Sequence, residues 1–227
     1  MLDDVSTRRL INLHVGLALF GLSIALMVRA ELGLASWDVL HQGLAERTGL
    51  PMGWVINLVA VVVLLLWIPL RQRPGYGTLA NVALVGLATE AALELLPSYD
   101  VLAVRWVLLG AGIAVNAVAT ALYVGAGLGP GPRDGLMTGL AARGYSIRLA
   151  RTAIEVGVLA AGWVLGGTVG AGTVLYALTI GPLVHYLLPK LTVPVGAPDA
   201  PSERDRRQHP AGPDRRAGGR LVCADCA

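Results

Sequence analysis

Leu32-Gly33-Leu34-Ala35-Ser36-Trp37-Asp38 returns later in the chain as Leu128-Gly129-Pro130-Gly131-Pro132-Arg133-Asp134. The offset is 96 positions, whether taken from Gly33 to Gly129 or from Asp38 to Asp134. The same step carries Leu40 onto Leu136, Gly43 onto Gly139, Ala45 onto Ala141 and Arg47 onto Arg143. A repeat of this kind decides an architecture before any single element does. Here it divides nearly all of the apolar sequence into two halves.

That sequence is 55% hydrophobic and 15% charged, against about 25% charge in ordinary globular domains. The missing charge is localised. Residues 10–28, 51–70, 74–89, 106–132 and 156–189 contain no Asp, Glu, Lys or Arg. Apolar runs of about 20 residues suffice to cross a bilayer as helices. A soluble bundle would need polar helix faces, which these runs lack. The chain therefore reads as an integral membrane protein with the lipid bilayer as its first partner. The start, Met1-Leu2-Asp3-Asp4, is acidic, and no small-residue cleavage pattern closes the first run, so that run reads as a retained helix.

Spans are predicted at about 9–29, 52–70, 78–96, 104–125, 149–166 and 172–189, with short segments at 36–46 and 133–143. Ser36 is placed to cap the first short segment, and Asp38 to complement its positive end. Pro97 and Pro189 are expected to end the third and sixth spans. Arg105 is Arg9 plus 96, and Gly112 is Gly16 plus 96. Gly170-Ala171-Gly172-Thr173 matches Gly75-Tyr76-Gly77-Thr78 at an offset of 95. The organisation is thus a terminus at 1–8, a first membrane repeat at 9–97, a second at 104–190, and a tail at 191–227. The tail is rich in Pro, Gly, Ala, Arg and Asp, a composition that does not form a packed core.

Six spans put both termini on one side. Arg8, Arg9, Arg71, Arg73, Arg133, Arg143, Arg148 and Lys190 fall on that side, and Arg29, Arg47 and Arg105 on the other. The positive-inside rule makes the terminal side cytoplasmic, in the cell membrane. Three spans per half is an odd number, so the halves are expected to be inverted relative to each other, an arrangement recurrent in transporters.

Gly-Leu-Gly followed by Asp and a Gly-containing short helix, then Arg-Thr-Ala-Ile-Glu at 151–155 and Gly-Ala-Gly-Thr at 170–173, resembles the YczE/YyaS/YitT family of bacterial integral membrane proteins. The likeness covers roughly 9–190. It implies a multi-pass membrane protein. It brings no substrate and no catalytic residues. Arg133 stands where the first copy has Trp37, so the two halves are not functionally equivalent.

The candidate residues follow from cost. Gly33, Gly129 and Gly131, with Gly77 and Gly172 in the later motif, permit unusual or closely packed backbone. Irregular backbone at membrane depth survives inside protein or beside water. Two readings stay open: paired half-helices lining a central path, or interfacial loops with amphipathic helices. Asp38 and Asp134 are the acidic residues that repeat. They can handle a cation or proton, or serve as helix caps. Glu155 is intramembrane and costly, unless it pairs with Arg151 one turn earlier. Aligning Ile56 with Ile154 places Asn57 opposite it. Glu90 lies deep on the third span. The Trp residues read as interfacial anchors.

No HExxH, GxSxG or Walker loop occurs, and the two cysteines, Cys223 and Cys226, form one CxxC in the tail. A metal site wants about four ligands. The expectation is therefore no enzyme, no cofactor, no metal and no nucleic-acid partner. The fold expected is an all-α membrane protein of about six spans in two inverted three-helix repeats. The function expected is a small-solute permease without ATP hydrolysis, its path lined by Asp38, Asp134, Glu155, Glu90 and Asn57. The alternative is an accessory or scaffold protein that assists a partner complex.

Overall fold

The apolar runs form helices in the computed structural model, which describes residues 7–193. The expected tail and its Cys223–Cys226 pair lie outside the described residues. The helices are α1 Thr7–Ala30, α2 Ser36–Thr48, α3 Met52–Leu65, α4 Trp67–Leu70, α5 Tyr76–Leu95, α6 Leu102–Gly125, α7 Pro132–Ala141, α8 Ile147–Val164 and α9 Ala171–Leu191. Among the described residues there is no strand.

Five helices are long and apolar enough to cross a membrane: α1, the α3–α4 rod Met52–Leu70, α5, α6 and α9. Large apolar side chains such as Leu58, Leu87, Val107 and Leu178 are exposed on them, as suits helices whose solvent is lipid. The chain is a multi-pass, all-α membrane protein. The expected fifth span forms a helix at nearly the expected place, but α8 is not among these five. Its first nine residues contain Arg148, Arg151 and Glu155.

Local chemistry places the helix ends. Pro69 has no N–H to offer Leu65, and its ring crowds that carbonyl, so the helix breaks between α3 and α4 at Leu66. Pro189 does not end the last helix as expected. α9 runs through Pro182 and Pro189 to Leu191. Ser36 does not cap α2 either: Ala35 holds the extended cap conformation, and Ser36 is already helical.

α1 and α6 pack along each other at the centre. Leu13, Leu17, Ile24 and Met27 of α1, and Leu109, Ile113 and Ala117 of α6, are buried. Two glycines allow the approach. A Cβ on Gly16 would lie 2.8 Å from the Tyr123 nitrogen, and one on Gly112 would lie 2.7 Å from Met27 Cγ. Asn116 donates to Ser23 Oγ at 2.8 Å and ties the two helices across their buried face.

Around this pair the halves exchange parts. The Leu32 carbonyl accepts the Gly172 N–H at 2.7 Å, and the Leu128 carbonyl accepts the Gly77 N–H at 2.8 Å. Each Gly motif therefore docks on the first turn of the last long helix of the other half. Thr78 donates to the Pro130 carbonyl at 2.7 Å. Gly33 and Gly129 have φ of 118° and 130°, a backbone shape that other residues rarely take. The short helices cross over as well. α2 packs on α8, and α7 packs near α3, α4 and α8. Trp67, expected as an interfacial anchor, is instead buried and donates its indole N–H to the Pro132 carbonyl at 2.9 Å.

Candidate functional site: a cavity between the two halves

This exchange leaves a cavity of about 720 Å³ bounded by α1, α2, α3, α5, α6, α7, α8 and α9. Its charged wall comes from the second Gly motif and α8, and Asn81, Tyr123, Tyr176 and His185 add neutral polar groups from α5, α6 and α9. Ala35, Ser36 and Trp37 from the first motif face Gly131, Pro132, Arg133 and Asp134 from the second, with Arg151 and Glu155 beside them. The remaining wall is largely apolar, including Phe20, Ile56, Val63 and Ile180. Such a mixture, mostly apolar with a few converging polar groups, is typical of a small-molecule site.

Its shape follows from a difference between the halves. In the first half α3 packs on α5. Gly53 and Gly86 sit against each other's backbone, and Asn57 Oδ1 accepts the Gly86 N–H at 3.0 Å. In the second half no comparable packing joins α8 to α9. Gly181, the counterpart of Gly86 at an offset of 95, would place a Cβ in open space, with no described atom beyond its own stretch of helix within 4 Å. Arg151, at the Gly53 position in the Ile56–Ile154 alignment, is exposed. The cavity occupies the space where α8 stands away from α9.

The charged groups there form two sets. Arg133 lies over the Trp37 ring, 5.0 Å from its centroid, and its Nη2 is 3.6 Å from Asp38 Oδ1. Asp38 is buried behind the wall, and its Oδ1 is also 3.4 Å from His41 Nδ1. Among the described residues, Trp37 Nε1, Asp38 Oδ1 and His41 Nδ1 are buried with no partner at hydrogen-bond geometry. Leaving such groups unsatisfied costs about 1–3 kcal/mol each, and sites that tolerate it call for an explanation. The second set is Asp134, Arg151 and Glu155. Tyr123 donates its hydroxyl to Asp134 Oδ2 at 3.2 Å. Arg151 and Glu155 are one turn apart on α8, yet neither takes part in an ion pair within 4 Å among the described residues.

The expected path residues thus part company. Asp134, Glu155 and Gly131 line the cavity, and Asp38 reaches it through Arg133. Gly33, Gly129, Gly77 and Gly172 shape its frame. Asn57 does not line the cavity: it bridges α3 to α5, its Nδ2 donating to the Ala83 carbonyl at 3.3 Å. Glu90 is elsewhere too. It accepts the Gly53 N–H at 2.8 Å and borders a separate, shallow pocket of about 510 Å³ with Arg29, Gln42, Glu46 and Glu94.

Trp37, which reads from its position as an interfacial anchor, lines the cavity instead, together with His41 and Tyr123, which no motif in the sequence sets apart. A signal for Trp37 was present, since it and Arg133 occupy the same place in the two copies.

A family model described as "Family of unknown function (DUF6198)" matches residues 7–189. An uncharacterized protein of Haemophilus influenzae is 39% identical over 173 residues, which cover 76% of this chain and 79% of that protein. The uncharacterized membrane protein YczE of Bacillus subtilis is 32% identical over 173 residues, 75% of this chain and 80% of that one. The uncharacterized protein YyaS of the same organism is 25% identical over 182 residues, 77% of this chain and 90% of its own length. No solved structure matches.

Proposed function

We propose a small-solute permease for this chain, which belongs to the DUF6198 family and, with YczE and YyaS among its relatives, to the YczE/YyaS family of bacterial membrane proteins. The observation that carries the proposal is the cavity at the meeting of the two Gly motifs, open where α8 stands off α9 while α3 is closed on α5. Two halves of one design in different states are what alternating access requires. Exchange of the two states would carry the cavity from one membrane face to the other. In this reading Asp134 and Glu155 meet the solute, Asp38 holds Arg133 in place, and no ATP is hydrolysed.

The topology proposed with it has six crossings, α8 being the fifth, in two inverted repeats of 9–97 and 104–190, with cytoplasmic termini. Cross-docking of the Gly motifs supports it. Motif one pairs with the start of α9 and motif two with the start of α5. Both pairings join segments at the same membrane face only if α8 crosses. The charges of α8 are then tolerated because Arg151 and Glu155 face the cavity rather than lipid.

The test is uptake by proteoliposomes holding the full chain, against cationic, anionic, zwitterionic and neutral solutes. Saturable uptake of at least one solute, absent from protein-free liposomes and abolished by Asp134→Asn, supports transport. Folded protein that moves none of them favours the accessory role. That second reading has its own support, since Glu90 and Asn57 sit in local packing contacts rather than on the cavity.

A further inference from the structure

Resting on the permease reading, we infer that the solute is a zwitterion with an apolar body, carrying an ammonium and a carboxylate as amino acids and short peptides do. The argument is one of charge matching. Of the charges at the cavity, Arg133 is committed to Asp38 and to the Trp37 face. What remains is Arg151, Glu155 and Asp134. Among the described residues Arg151 has no carboxylate within 4 Å, and Glu155 has no cation. Both face the same cavity from one helix, a turn apart, so their side chains stand about 5–6 Å apart at Cβ.

A lone cation leaves Arg151 without a counter-charge, and a lone anion leaves Glu155 without one. A solute bearing both signs satisfies both ends at once. Charge-assisted contacts of this kind are stronger than those between neutral groups. The rest of the wall, with Phe20, Ile56, Val59, Val63, Ile180 and Val184, offers an apolar seat for the body of the solute. The volume of about 720 Å³ falls within the range of small-molecule sites, about 300–1,000 Å³, and admits either a free amino acid or a dipeptide.

The experiment is equilibrium binding to the full chain in lipid nanodiscs with four probes: leucine, leucyl-leucine, 3-methylbutylamine and 4-methylpentanoate. The last two keep the apolar body and remove one charge each. The expected result is that leucine or leucyl-leucine binds at least about tenfold tighter than both single-charge probes, since each of those leaves one charge of the site without its partner. Whichever zwitterion wins reports the length of the ligand. Glu155→Gln should remove the advantage over 4-methylpentanoate, and Arg151→Gln the advantage over 3-methylbutylamine. Glu155→Asp and Arg151→Lys should restore part of each, which a merely folding-related role would not.

The inference falls if a single-charge probe binds as tightly as the zwitterions, if neither zwitterion binds, or if both glutamine variants keep the full preference. Its failure is separable from that of the permease reading. Zwitterion binding without uptake removes transport and keeps this inference. Saturable uptake of a solute of one charge, without zwitterion binding, does the reverse.

Discussion

The Arg133 guanidinium lies over the face of the Trp37 indole, 5.0 Å from the ring centroid, and the two residues occupy the same position in the two copies of the Gly motif. Both side chains line the cavity. A cation on an aromatic face contributes about 0.5–2 kcal/mol. The carboxylate of Asp38 adds to this, its Oδ1 3.6 Å from Arg133 Nη2.

Breaking that cluster from one side should cost more than dismantling it. Arg133→Gln leaves Asp38 buried without its counter-charge and should destabilise the protein by about 3 kcal/mol. Arg133→Gln with Asp38→Asn should recover a large part of the loss. Thermal unfolding of the detergent-solubilised variants measures both. An additive double variant would show that the two side chains do not act together.

Gly33→Ala and Gly129→Ala should each destabilise the protein by about 1–3 kcal/mol. Their φ values are unsuited to alanine, and each new methyl would meet a threonine hydroxyl of the other half, at 2.7 Å from Thr173 and 3.0 Å from Thr78. Gly49→Ala is the control. It shares the positive φ but has nothing within 4 Å, and should cost only about 1 kcal/mol. Equal losses at all three sites would mean that the cross-docking contributes nothing.

Gly86 and Gly181 should respond differently to the same change. A Cβ on Gly86 collides with Asn57 and with the Gly53 carbonyl, whereas Gly181 faces open space. Gly86→Ala is expected to lower the unfolding temperature, and Gly181→Ala to leave it unchanged. If α8 closes on α9 during the cycle, Gly181→Leu slows uptake while leaving stability intact. Uptake at the unmodified rate in that variant would count against the closure.

Thr78→Val removes the donor to the Pro130 carbonyl and the partner of the Gly75 N–H. Two buried or half-buried hydrogen bonds at about 1 kcal/mol each set the expected loss, read by the same unfolding assay. A loss well below that would place the hold on the second motif elsewhere, with Trp67 as the next residue to test.

Much of this was legible in the residues. The uncharged runs pointed to the helices, because composition is a property of the sequence itself. What escaped it were relations across distance. The bond from Gly172 to Leu32 joins segments that are far apart in the chain, and nothing local to either motif points to it. Glu90 and Asn57 looked like path residues because an intramembrane polar group is costly wherever it sits. The structure shows that a backbone N–H can answer that cost within one helix pair. Trp37 was misplaced because a tryptophan near a span end reads as an anchor, and only its match to Arg133 sets it apart. Ser36 looked like a cap by residue type, but the chain enters α2 one residue earlier.

The inverted arrangement of the halves is the central claim, and sided thiol labelling tests it most directly. Cys223 and Cys226 are the only cysteines in the sequence, so their removal gives a clean background. Single cysteines are then placed at Leu50, between α2 and α3, and at Tyr145, between α7 and α8, both exposed. A membrane-impermeant reagent is applied to intact cells and to inverted vesicles. The account predicts that Leu50→Cys labels in intact cells and Tyr145→Cys in inverted vesicles. Labelling of both from the same face would contradict it, since the halves would then run in the same direction and the cavity would have no alternate state to exchange with.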